Sequence, residues 1–276
     1  MPALDSTKRA PSIEDYEVME QGVCDQIGQN LRVVRTQLGI SQSELACLIG
    51  VSRSQYRRYE EGRDLPRLHT AILWSVETGI PTHWLFTGTG HHNWVDVPWH
   101  PSWVAVLYFV NKAPGYALRS LQAALEGLAG TASTGTLAHY RNPGIDECRS
   151  CIDDRYYQAI SKHLRRFRHE HSLSQDTMAH HLGISTAAYK RYEAFGTSIH
   201  FSILLIMRFW SASGISPMTL TRNTPVFQYR QQQNDNFAIL LPLLNKLSMD
   251  QLESVKPLLD TLWSMSGHNY LTGRAI

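Results

Sequence analysis

Residues 27–60 read IGQNLRVVRTQLGISQSELACLIGVSRSQYRRYE, and residues 160–193 read ISKHLRRFRHEHSLSQDTMAHHLGISTAAYKRYE. Laid over one another at a constant offset of 133, without a gap, they agree at 13 of 34 positions. The shared residues are Ile27, Leu31, Arg32, Arg35, Ser41, Gln42, Ala46, Gly50, Ser52, Tyr56, Arg58, Tyr59 and Glu60, with their counterparts 133 further on. Chance supplies about two such matches, so the chain carries one small unit twice.

The first copy predicts short helices joined by tight turns. Ile27, Leu31, Val34 and Leu38 recur at helical spacing and run up to Gly39, a good C-terminal stop. Ser41 with Glu44 three residues later forms a capping-box pattern for a helix reaching Ile49. Gly50 suits a turn that needs positive φ, and Ser52 caps a following helix from Arg53 to Glu61. Two short helices joined by a Gly-containing turn, with a small residue at their crossing, make a helix-turn-helix. Ala46 and Ala179 are those small residues. The second copy repeats the signals: Ser174 cap, Gly183 turn, Ser185 cap, then a helix from Thr186 to Glu193.

The pattern Gln-x-x-Leu-Ala-x-x-x-Gly-Val-Ser-x-x-x-Tyr-x-x-Tyr-Glu-x-Gly, from Gln42 to Gly62, resembles the Xre family of phage Cro and repressor DNA-binding domains. The stretch GIPTHWLFTGTG at residues 79–90 resembles the segment that closes this five-helix domain in many members. The second copy follows the pattern through Glu193 and then departs, with Ala194-Phe195-Gly196 in place of Glu-Gly and about two extra residues before Gly214-Ile215-Ser216. The resemblance implies that the second helix of each motif lies in the major groove with its N-terminal residues at base edges.

On a helix from Arg53, the side chains of Arg53, Ser54, Arg57 and Arg58 fall within about 140° of arc, with Tyr56 and Tyr59 opposite. The tyrosines therefore read as core and the arginines as the exposed face. Arg53 suits the bidentate contact to guanine O6 and N7, while Ser54 reads either base weakly. Arg57 and Arg58 reach a base or the phosphates, and the resemblance favours Arg58 for a base. It also gives Gln42 a bracing role on the phosphate backbone, and implies that Arg35–Glu60 and Arg168–Glu193 are structural ion pairs. With the flanking Ser52 and Gln55, these residues make up the DNA-facing set of the first copy. The second copy offers Gln175, Ser185, Thr186, Ala187, Lys190 and Arg191. Thr186 and Ala187 suit a thymine methyl, and Lys190 and Arg191 suit phosphates, which position rather than specify.

Bulk charge alone points away from nucleic acid: 26 basic against 24 acidic residues, net +2. By segment the picture changes. Residues 155–200 carry seven basic and three acidic residues, while residues 1–21 carry two and five. Distribution, not the sum, is the footprint of a nucleic-acid binder. The 43% hydrophobic content is enough to core two domains. The first twenty residues hold no apolar signal-peptide core and the longest apolar run, residues 103–110, is too short to span a bilayer. A cytoplasmic, nucleoid-associated location without membrane contact is expected.

The remaining segments are less telling. Residues 130–144 are rich in Gly, Ser and Thr and read as a flexible linker. Cys148-Arg-Ser-Cys151 is a CxxC with histidines 91, 92, 100 and 139 upstream, but no second CxxC or finger-spaced His pair completes a zinc site. No metal, no cofactor and no enzymatic activity are expected. Leu240, Leu243, Leu244 and Leu247, then Leu252, Val255, Leu258, Leu259 and Leu262, predict a helical hairpin, residues 236–247 and 249–265, that makes dimer contacts or packs on the second copy.

The expected architecture is all-α: two five-helix Cro/repressor-like helix-turn-helix domains, a partly helical linker region and a C-terminal helical hairpin. Its bounds are a flexible N-terminal segment (1–21), a first domain (22–90), the linker region (91–154), a second domain (155–224) and the hairpin (225–276). The expected function is a sequence-specific transcription regulator, binding double-stranded operator or promoter DNA as a homodimer. The alternative is a protein-interaction or antitoxin-like regulator whose second motif serves packing or dimerisation.

Overall fold

The computed structural model describes residues 13–20, 22–86, 100–101, 103–139, 144–152, 154–194, 200–215, 217–222 and 224–265. Its regular elements among these residues are all helices, apart from one isolated antiparallel bridge between Arg67 and Ser202.

The first copy consists of α2 (Val23–Gln37), α3 (Gln42–Ile49), α4 (Arg53–Glu60), α5 (Leu68–Thr78) and a 3-10 turn, Thr82–Phe86. The predicted signals operate. Ser41 Oγ accepts from the Glu44 amide at 3.1 Å and Glu44 Oε2 from the Ser41 amide at 2.7 Å, closing the capping box. Ser52 Oγ caps α4 through the Gln55 amide. Gly50 takes φ 74° between α3 and α4. Ala46, 1% exposed, lets the two helices cross closely. Gly28 has a role the sequence did not reveal: a Cβ there would lie 2.6 Å from the Tyr59 carbonyl oxygen, so α2 and α4 approach through it.

The second copy consists of α9 (Asp154–Glu170), α10 (Gln175–His181), α11 (Thr186–Glu193), α12 (Ile203–Ser213) and a 3-10 turn, Pro217–Thr221. It keeps the same order of elements, the same serine caps (Ser174 and Ser185) and a buried alanine (Ala179) at the crossing of its short helices. As α2 does with α4 and the first 3-10 turn, α9 packs on α11 and the second.

Between and after the copies lie α6 (Trp103–Lys112), α7 (Gly115–Ala129), α8 (Gly144–Cys151), α13 (Pro225–Leu244) and α14 (Met249–Met265). The apolar run at 103–110 is the helix α6, buried on every side, which is why it shows no helical periodicity. Its Asn111 joins α5 to α13. The side-chain amide donates to the carbonyls of Val76 (2.9 Å) and Glu77 (3.1 Å), while Oδ1 accepts from Tyr229 (2.8 Å) and Gln233 (2.7 Å). Such a satisfied buried network fixes helix register.

Three expectations change. The linker at 130–144 is not a free tether over its described part: the amides of Ser133 and Leu137 donate to Glu126 and Gln122, and Asn236 bonds both the amide and the carbonyl of Ala138. Residues 140–143 of that stretch lie outside the described residues. The N-terminal segment, expected to be flexible, contains α1 (Ile13–Glu20), whose Tyr16 is 1% exposed. Residues 1–12 lie outside the described residues. Finally, the first hairpin helix begins at 225 rather than 236, capped by Thr224, because its polar first half faces a polar buried network that hides its periodicity. The leucine stripes of α13 and α14 pack on α6 and α7 of the same chain, with Leu240, Leu243 and Leu259 at 0% exposure. That apolar area is spent internally.

Candidate nucleic-acid interface

The helices α4 and α11 each rest on a buried carboxylate at their C-terminal end. Glu60 ends α4, with its side chain fully buried. Arg35 of α2 donates to both its oxygens, at 2.6 and 3.1 Å, and Gln42 of α3 donates to Oε2 at 2.7 Å. Arg35 also donates to the Ile40 carbonyl at 3.1 Å. The second copy repeats this bond for bond: Arg168 reaches Glu193 at 2.7 and 3.0 Å, Gln175 reaches it at 2.8 Å, and Arg168 donates to Leu173 at 2.9 Å. Tyr189 adds a hydroxyl at 2.6 Å. Burial raises the Glu193 pKa, but the bonds from Arg168, Gln175 and Tyr189 outweigh it and hold the carboxyl below its ordinary value. Three helices of each copy are thus locked around one anion, which fixes how the helix above presents its outer face.

On that outer face of α4 stand Arg53, Ser54, Arg57 and Arg58, all exposed, while Tyr56 and Tyr59 are buried on the opposite side. Arg57 is lightly held by Glu61 (3.2 Å) and Arg58 lies 4.0 Å from Asp64, contacts weak enough to exchange for a ligand anion. Arg53, at the helix start, has no ion-pair partner among the described residues. Ser52 and Ser54 share a hydrogen bond at 2.9 Å beside the cap, and Gln55 donates to Asp64 at 2.7 Å, which restrains the loop after α4. The structure therefore gathers Arg53, Ser54, Arg57 and Arg58 into one cationic surface.

Gln42 and Gln175 each donate one amide bond to Glu60 and Glu193, which braces the helix above from within. On the second copy, Lys190, Arg191 and Ala187 are exposed, and Ser185 is occupied as a cap. The Thr186 hydroxyl donates to Asp176 at 2.5 Å. This face is cationic at its far end and short of hydrogen-bonding groups at its start.

The CxxC pair offers nothing comparable. Cys148 is buried, and burial first, then Cys151 and nearby carboxylates, push its thiol up to about 12, the direction opposite to a thiolate ligand or nucleophile. His91 and His92 lie outside the described residues, and His139 turns its Nδ1 to the Ala113 carbonyl. Among the described residues no helix is long and apolar enough to cross a membrane.

Comparison with known proteins meets this geometry at the first copy. Residues 31–85 match the helix-turn-helix family HTH_3, a span running from within α2 to the 3-10 turn. The chain is similar to the SPbeta prophage-derived uncharacterized HTH-type transcriptional regulator YonR of Bacillus subtilis (strain 168), at 37% identity over 62 residues. That alignment covers 22% of this chain and 57% of the relative, so the chain spans little more than half of the relative's length. No solved structure matches. Residues 31–85 thus form a helix-turn-helix domain of the Xre-like kind, with the arginine face of α4 as its outward surface.

Proposed function

We propose that the protein is a sequence-specific DNA-binding transcription regulator that enters the major groove with α4. The observation that carries this reading is the exposed row Arg53, Ser54, Arg57 and Arg58 on a helix clamped from beneath by Arg35, Gln42 and Glu60. Arg53 takes the bidentate guanine contact, worth about 1–3 kcal/mol of discrimination, and Arg57 and Arg58 divide between base and phosphate. The described sequence relative, a named transcription regulator, supports the same assignment.

The second copy acts as a second helix-turn-helix on the same duplex. Its Lys190 and Arg191 bind phosphate, and Thr186 and Ala187 provide apolar contact to thymine methyls. It adds affinity with little base discrimination, because the one hydroxyl at the start of α11 is already bonded to Asp176.

A salt titration tests the reading. Phosphate contacts release counterions, so log K falls linearly with log salt, with a slope of about −0.9 per phosphate neutralised on duplex DNA. Binding of a promoter fragment should show a steep slope in the wild type and a slope shallower by about two in Lys190→Ala/Arg191→Ala. An unchanged slope in that variant assigns the second copy to packing. A flat slope in the wild type refutes DNA binding by these faces.

A further inference from the structure

The helix before each copy docks on the other copy. Tyr16 of α1 donates its hydroxyl to the His181 carbonyl at the end of α10 and lies over Gly183, where a Cβ would meet its ring at 2.6 Å. Arg149 of α8 donates to the carbonyls of Cys47 (2.9 Å) and Leu48 (3.4 Å) at the end of α3 and lies over Gly50, where a Cβ would meet its guanidinium at 2.6 Å. Residues 16 and 149, 48 and 181, and 50 and 183 are each separated by the repeat offset of 133. So the same position of each copy closes the helix-turn-helix turn of the other.

The seam between the copies obeys the same exchange. Arg67 and Ser202, the N-caps of α5 and α12, pair with each other in the antiparallel bridge, and the Leu68 amide donates to the Phe201 carbonyl at 3.0 Å. Beside it, the Tyr157 hydroxyl lies 3.1 Å from Nδ1 of His69 and 2.8 Å from Nδ1 of His200. Around the first turn, α8 packs on α5; around the second, Glu20 of α1 pairs with Arg208 of α12 at 2.7 Å.

Reciprocity of this sort has one geometric meaning. In a head-to-tail arrangement, copy one touches copy two through a patch that copy two cannot use in return. When each copy offers the same patch to the other, the operator relating them is a two-fold rotation. An element paired with its own equivalent in antiparallel sense, as Arg67 is with Ser202, sits on the axis. The bridge follows α4 by seven residues and α11 by nine, so the two reading helices flank that axis.

We infer that one chain carries its own two-fold and occupies both halves of an inverted, imperfect repeat in duplex DNA as a monomer, with α4 in one half-site and α11 in the other. This rests on the DNA-binding reading above and goes beyond it, by specifying how the target is organised and how many chains it takes. A homodimer, expected from sequence, would bring four such helices to one site, and the leucine stripes expected to support it are buried within the chain. The halves differ because their readers differ: arginines against Thr186, Ala187, Lys190 and Arg191. A symmetric dimer of identical chains cannot favour such a target over a perfect palindrome; a fused pair can.

The experiment uses the full chain and duplexes that it recovers from a random-sequence library. Sedimentation gives the number of chains per duplex, and hydroxyl-radical footprinting gives the protected positions. The result expected is one chain per duplex, two protected patches on one face about ten base pairs apart, and recovered sequences forming an inverted repeat with one half better defined. Arg53→Ala/Arg57→Ala should relax base preference in the better-defined half only, weakening binding about tenfold or more. Lys190→Ala/Arg191→Ala should thin protection in the other half. Two chains per duplex, a direct repeat, or a single patch indifferent to Lys190 and Arg191 overturns the two-fold inference while an Arg53-dependent preference leaves the DNA-binding reading standing. Recovery of no preferred sequence overturns both.

Discussion

Replacing Arg168 by Met removes the cation that holds Glu193 beneath α11. The guanidinium and the carboxylate are nearly buried, at 11% and 3% side-chain exposure, and meet through two bonds of 2.7 and 3.0 Å. Methionine fills most of the volume but donates nothing, so Glu193 keeps only Gln175 and Tyr189, and the Leu173 carbonyl loses its donor. Stranding one member of a buried pair costs about 3–5 kcal/mol, a large share of the 5–15 kcal/mol that holds a typical domain together. At about 2–4 °C per kcal/mol for a unit of this chain's size, the unfolding midpoint of the whole protein should fall by roughly 6–20 °C.

The pH dependence gives this prediction its edge. In the wild type the Glu193 carboxyl titrates below its ordinary value, so its contribution is fully present above about pH 4.5 and is lost as pH falls through the native value. In Arg168→Met the stranded carboxylate is relieved by taking up a proton, so the gap between variant and wild type should narrow from pH 7 to pH 5. Calorimetric scans at the two pH values measure it, and Arg168→Met/Glu193→Gln should recover about half the loss at pH 7. A gap independent of pH, together with additive single and double variants, would refute the brace.

Gly28→Ala should destabilise the first copy by about 1–3 kcal/mol, because its Cβ would press on the Tyr59 and Glu60 carbonyls, which are backbone and cannot swing away; a neutral or raised midpoint would show that α2 and α4 have room. His69 and His83 are both pushed down to about 4, chiefly by burial, with His200 and Arg67 acting on the first and Arg230 on the second. Their unfolded forms protonate near pH 6.5 and their folded forms do not, so stability should decline as pH drops from 7 toward 5. The effect is up to about 2 kcal/mol for His83 and less for the partly exposed His69, and His83→Gln should flatten the midpoint-against-pH curve.

The parts of the fold that were legible in sequence are those where one residue dictates one local conformation. Ser41, Ser52, Ser174 and Ser185 cap the helices they precede, Gly50 and Gly183 take positive φ, and Tyr56 turns inward opposite the arginines. What escaped depends on residues distant in the chain. Residues 131–139 have linker composition, but the side chains that pin them come from α7 and α13. The docking of α1 and α8 on opposite copies leaves no repeat signal, because a tyrosine and an arginine fill the equivalent positions 16 and 149. The bonds from Gln42 and Gln175 to Glu60 and Glu193, 18 residues on, likewise depend on how α3 packs on α4 and α10 on α11.

A competition assay decides whether the outer face of α4 reads sequence in duplex DNA. Fluorescence anisotropy compares binding of a duplex recovered from a random library with binding of its scrambled counterpart, at fixed physiological salt, for the wild type and for Arg53→Ala/Arg57→Ala. The wild type should prefer the recovered duplex by about a thousandfold or more. The variant, its fold intact by circular dichroism, should lose most of that preference while keeping residual salt-sensitive binding. An undiminished preference in the variant would contradict sequence reading by α4.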